Sequence, residues 1–82
     1  MPDLDYTTHA RDMLVERQIL NEWIQRTINN PDKNWMGEDG NQHYTKAIPE
    51  REGRILHVVV NFNDYPNRII TLFFDRRLGK IK

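Results

Sequence analysis

Cysteine is absent from the 82 residues, so no disulfide framework, thiolate metal site or thiol chemistry is available. A cytoplasmic location is the easier expectation. No apolar run approaches the roughly 18 residues needed to span a bilayer, so no membrane association is expected. The start, Met1-Pro2-Asp3-Leu4-Asp5, lacks the basic and apolar regions of a signal peptide. An excess charge of one sign is missing too: Lys plus Arg equals Asp plus Glu at 12 each. That balance argues against a whole surface that traps nucleic acid. Glycine is sparse at four, and there is no phosphate-binding glycine loop, nucleophile elbow or paired-carboxylate site. Nucleotide hydrolysis and serine chemistry are therefore not expected, nor is a cofactor.

What is present fits one domain over residues 1–82, because a chain of this length buries only about 60% of its unfolded surface and cannot be divided further. Such a core is marginal and gains from a partner. The charge is unevenly spread. Residues 1–40 hold 4 basic and 8 acidic side chains, while residues 41–82 hold 8 basic and 4 acidic ones. The asymmetry fits an anion-binding face, or two halves that attract each other.

Apolar spacing predicts two helices. Thr8 is a plausible N-cap for the first, in which Ala10, Met13 and Leu14 share a face and which ends near Arg17. Leu20, Trp23, Ile24, Thr27 and Ile28 form the stripe of the second, capped by Asn21 and stopped at Asn30-Pro31. Residues 32–41 read as irregular, with Trp35-Met36 as a short strand or a packing anchor. Extended segments are expected over 42–48, 54–62 and 68–75, the second centred on Val58-Val59-Val60. The turns are assigned to Glu50–Gly53 and to Asn63-Asp64-Tyr65-Pro66-Asn67, and such short connections imply antiparallel pairing.

Alternation then sorts side chains by face. One set, with His43, Thr45, Ala47, Leu56, Val58, Val60, Phe62, Ile70, Leu72 and Phe74, is expected under the helices. The other, with Tyr44, Lys46, Ile55, His57, Val59, Thr71 and Phe73, mixes apolar and hydrogen-bonding groups and reads as a binding surface, an interface or a second packing layer.

The run Tyr6-Thr7-Thr8-His9-Ala10, then Glu16-Arg17, then a helix ending at Asn30-Pro31, resembles a small bacterial family catalogued as a domain of unknown function. Tyr44, the Val58-Val59-Val60 strand and Ile70-Thr71 extend the resemblance over nearly the whole chain. That family is distantly similar to RelE- and BrnT-type toxins of toxin–antitoxin pairs, which cleave messenger RNA at the ribosome. The resemblance implies an α+β fold with two N-terminal helices on one face of an antiparallel sheet of three to four strands. It also implies RNA, and an antitoxin-like protein or a second copy of the chain, as partners. Gln18 stands where the family often carries glycine after the arginine.

Cleavage of RNA through its 2′-hydroxyl needs a proton acceptor, a cation for the phosphorane charge and an acid for the leaving oxygen. With the Glu50–Gly53 turn setting the register, Lys46 falls opposite His57. His57 is then the acid or base, Lys46 and Arg54 the charge clamps, and Tyr44 with Thr71 a neighbouring RNA contact. On this less buried face, loss of His57 or Lys46 is expected to leave stability nearly unchanged. His9 and Arg17, eight residues apart and offset by about 80° on a helix, can bracket one phosphate. Arg76, Arg77, Lys80 and Lys82 form a basic tail for RNA backbone or an acidic partner. The alternative is a non-enzymatic module that binds a partner through the exposed sheet face or this tail. The spacing of His9, His43 and His57 fits no zinc motif, and no metal is expected.

Overall fold

The computed structural model describes residues 4–63 and 67–77. Its elements run β1 (Leu4–Tyr6), α1 (Thr8–Glu16), α2 (Asn21–Asn29), β2 (Lys33–Met36), β3 (Gln42–Ile48), a 3-10 turn (Pro49–Arg51), β4 (Arg54–Asn61) and β5 (Asn67–Phe74). The class is α+β, and both helices pack on one face of the sheet. The sheet differs from the expected antiparallel one of three to four strands: it has five, in the order β1-β5-β4-β3-β2, and is mixed. β1 runs parallel to β5, while all other pairs are antiparallel.

Local chemistry explains the helix ends. Thr7, one residue before the expected cap, is the N-cap of α1; its hydroxyl accepts from the Ala10 N–H at 3.1 Å and donates to the Ile70 carbonyl at 2.8 Å. At the other end the Ile19 N–H reaches the Leu14 carbonyl at 2.9 Å and the Gln18 N–H reaches Val15 at 3.2 Å. This Schellman closure needs a left-handed residue, and Gln18 supplies it at φ 55°. The reversal drops Ile19 into the core and starts α2, whose N-cap, Leu20, has no capping side chain. On α2, Trp23, Ile24 and Thr27 are buried, with the Thr27 hydroxyl donating to the Trp23 carbonyl at 2.8 Å.

The core lies between the helices and one sheet face. Ala10, Ile19, Trp23 and Ile24 meet Ile48, Leu56, Val58, Val60, Ile69 and Leu72, with Ile28 and Phe74 packed against them. The β4 and helix members match the alternation expected from sequence. Two others do not. A bulge opposite Val59/Val60 pairs Val59 with Thr71 and Val60 with Ile69, so Ile69 rather than Ile70 enters the core. The β3–β4 connection is five residues, not four: Pro49 begins a 3-10 turn, Glu52 and Gly53 take φ 61° and 78°, and Ile48 is the last β3 residue paired, with Arg54. The odd length inverts β3 relative to expectation. Tyr44 and Lys46 lie opposite Val58 and Leu56 on the helix side, while His43 and Thr45 share the other face with Val59 and His57.

Among the described residues, no helix is long and apolar enough to cross a membrane.

Candidate functional site

On α1, His9, Met13 and Arg17 recur at i, i+4 and i+8 and so line one side of the helix. That side overlooks the part of β5 that β1 leaves uncovered, because β1 pairs only with Asn67–Ile69. There His9 Nε2 lies 3.0 Å from the Thr71 hydroxyl. Arg51 from the 3-10 turn, Arg54 from the start of β4 and Arg76 after β5 close the opposite wall, with Phe73 and Phe74 between. The result is an open groove of about 600 Å³. A smaller hollow of about 300 Å³ adjoins it and shares Arg54, Phe74 and Arg76.

The electrostatics of the groove follow from what its cations do not touch. Arg26 is paired with Glu22 and Glu50, Lys46 with Asp32, and Arg77 with Asp75. Among the described residues no carboxylate pairs with Arg17, Arg51, Arg54 or Arg76. Two of these guanidiniums are held by aromatic faces instead: Arg51 and Arg54 lie 4.8 and 5.3 Å from the Phe74 ring centroid. Arg51 also donates to the Gln18 carbonyl at 3.4 Å. Ring stacking fixes a guanidinium while leaving its donors free. Four such charges beside an imidazole make a strong local attraction for a polyanion in a chain of zero formal net charge.

The structure thus gathers His9, Arg17, Thr71, Arg54 and Arg76 at one groove and does not bring the other expected residues there. Lys46, on the helix side of β3, reaches Asp32 at 3.4 Å. Tyr44 packs against the core, and burial raises the pKa of its hydroxyl. Arg77 is 84% exposed and folds back on Asp75. Lys80 and Lys82 of the expected tail lie outside the described residues, as do Asp64–Pro66 of the expected turn. Arg51 was missed in the sequence, where it is one charge in a turn; only the folded connection shows it facing Phe74.

His57 occupies a different setting from the one expected. It is 6% exposed, on the face away from the helices. Its Nδ1 lies 3.0 Å from Asp75 Oδ2, and its Nε2 lies 2.8 Å from His43 Nδ1. His43 Nε2 in turn faces Asp39 Oδ1 at 3.3 Å. The two histidines that alternation separates are therefore bonded to each other, and His57 and Lys46 lie on opposite sides of the sheet. Burial alone would raise the Asp75 carboxyl, but hydrogen bonds from His57 and Arg77 outweigh it and hold that group below the usual carboxylate range. The Asp75 contact has no local sequence signal, because it arises from β4–β5 pairing.

A family model described as "Domain of unknown function (DUF4258)" matches residues 6–74. The chain belongs to that family. The DUF4258 span begins on β1, ends with β5 and takes in every groove residue named above except Arg76. No curated protein and no solved structure matches the chain.

Proposed function

We propose that the groove binds the backbone of RNA and that the domain cleaves it, as a RelE-like endoribonuclease of the toxin–antitoxin type. The observation that carries this reading is the convergence of four arginines, none paired with a carboxylate among the described residues, on a groove that also holds His9. In the step proposed, His9 Nε2 in its neutral form takes the proton of a ribose 2′-hydroxyl. The 2′-oxygen bonds to phosphorus, the P–O5′ bond breaks, and the imidazolium returns its proton to the leaving 5′-oxygen. The products are a 2′,3′-cyclic phosphate and a 5′-hydroxyl. Arg17, Arg51, Arg54 and Arg76 offset the charge that grows on the phosphorane. The Thr71 hydroxyl orients the His9 ring. A cytoplasmic location and an antitoxin-like partner belong to the same reading.

The test is incubation of purified protein with RNA, with mapping of the cut ends, beside induced expression in cells. His9→Ala should slow cleavage about 100-fold, and Arg54→Ala should weaken RNA binding. Intact RNA with the parent protein, or equal cutting by parent and His9→Ala, would overturn the reading.

The second reading, a non-enzymatic interaction module, is favoured by β2. Its outer edge carries no strand among the described residues, and Met36 upon it is 63% exposed. A partner could add a strand there. This reading expects no cleavage and no growth arrest from the parent.

A further inference from the structure

On the sheet face away from the helices, one ring from each of four strands falls into a row. Trp35 of β2 is paired with His43 of β3, and Phe73 of β5 is paired with His57 of β4. The centroids are 5.3 Å apart for Trp35–His43, 5.1 Å for His43–His57 and 4.9 Å for His57–Phe73. Trp35 lies nearly parallel to His43, at 12°, and is 40% exposed. Phe73, at the other end, is a wall of the basic groove. The row therefore leads from the arginines, through the buried His57, to an exposed indole.

The rings are held in place. Hydrogen bonds from Asp75 through His57 and His43 to Asp39 oppose rotation of either imidazole. Gly37 makes room for the His43 ring: a Cβ added there would lie 2.5 Å from His43 Nε2. A pre-set row of rings continuous with a cluster of guanidiniums that no described carboxylate pairs has the chemistry of a single-stranded nucleic-acid site. Every unpaired base offers a face for stacking, whereas the bases of a duplex are already stacked on each other.

We infer that the Trp35–His43–His57–Phe73 row is the base-binding half of the groove, and that the substrate class is single-stranded RNA. This rests on the RNA reading of the groove. The arginines hold phosphates, Phe73 takes the base nearest them, and Trp35 takes one further along the strand. Because β5 and β2 lie three strand spacings apart, about 14 Å, a strand of at least three unpaired nucleotides is needed to use both ends.

The full chain is titrated with a short single-stranded RNA, an abasic strand of equal length and a duplex of the same sequence. Tryptophan emission and anisotropy of labelled RNA are read together. Trp23 is buried, so quenching reports on Trp35. The single strand should quench the emission and bind at least about five-fold more tightly than the abasic strand. Trp35→Ala should remove that advantage and leave affinity for the abasic strand unchanged. Trp35→Phe should retain affinity for the single strand while losing the signal, which guards against misfolding as the cause. Equal binding of single-stranded and abasic RNA would overturn this inference while leaving the groove reading intact. Absence of binding to all three would remove both. A change of oligomeric state in Trp35→Ala with RNA affinity unaltered would assign the row to contact between copies of the chain instead.

Discussion

His57→Ala should strongly destabilise the domain. The substitution removes a ring packed between Trp35, His43 and Phe73 and leaves a void at a site 6% exposed. It also breaks two hydrogen bonds, at 2.8 and 3.0 Å. The Asp75 carboxylate, 4% exposed, would keep only donors from Arg77, whose own side chain is mostly in solvent. A buried acceptor left without its partner costs about 1–3 kcal/mol, and a large-to-small change in a packed site adds at least about 1–2 kcal/mol more. A total of about 3 kcal/mol lowers the melting temperature of a domain this size by at least about 12 °C. Thermal unfolding followed by circular dichroism reads the loss directly. His57→Phe, which keeps a ring but neither hydrogen bond, should fall between parent and His57→Ala, separating polar from packing contributions. A His57→Ala protein melting within about 2 °C of the parent would refute the reasoning, because that is the behaviour of an exposed side chain.

Three further outcomes are expected. The Asp32 carboxyl, held low chiefly by the Ala47 N–H and aided by Lys46, and the Asp75 carboxyl both lie below the usual carboxylate range; the stability they lend is complete above about pH 4 and is lost as pH falls through their lowered folded values. The melting temperature should drop on the acid side with a shallower slope in Asp75→Asn, and identical slopes would count against it. Thr7→Ala should cost about 1–2 kcal/mol in denaturant unfolding, since it loses both the cap and the Ile70 contact, while Thr8→Ala should change little; the reverse order would place the cap at Thr8. Gln18→Gly should raise stability by about 1 kcal/mol by relieving the φ 55° backbone, and an unchanged denaturation midpoint would mean that no strain is held there.

Both helices were legible in the sequence because their apolar stripes are local, as were the three long strands, whose bounds fall within a residue or so of the expected 42–48, 54–62 and 68–75. β1 was not legible. Leu4-Asp5-Tyr6 has no strand pattern of its own and becomes a strand only by pairing with β5. β2, with Lys33-Asn34-Trp35-Met36, likewise borrows its conformation from β3. The inversion of β3 turns on a single residue of loop length. The expected register counted only Glu50–Gly53 as the turn and passed over Pro49, whose fixed φ suits the opening of the 3-10 turn. That one position decided whether His43 or Tyr44 joined His57. On α1 the shared side of His9 and Arg17 was legible because the two lie two helical turns apart at a fixed angle. Arg51 and the Asp75–His57–His43 chain depend on long-range register, which composition and periodicity do not encode.

The parallel pairing of β1 with β5 has a consequence for biosynthesis. The Thr7 hydroxyl and the Ile70 carbonyl that it meets are 63 positions apart, so the first strand emerges from the ribosome long before its hydrogen-bonding neighbour exists. Helix α2 can dock on β3 and β4 as soon as they are made, but α1, whose main sheet contact is β5, must wait for it. A nascent chain stalled before Asn67 would present the apolar side of α1 to chaperones, and synthesis of β5 supplies the missing wall of the groove. Assembly of the groove is thus held back until translation has passed β5.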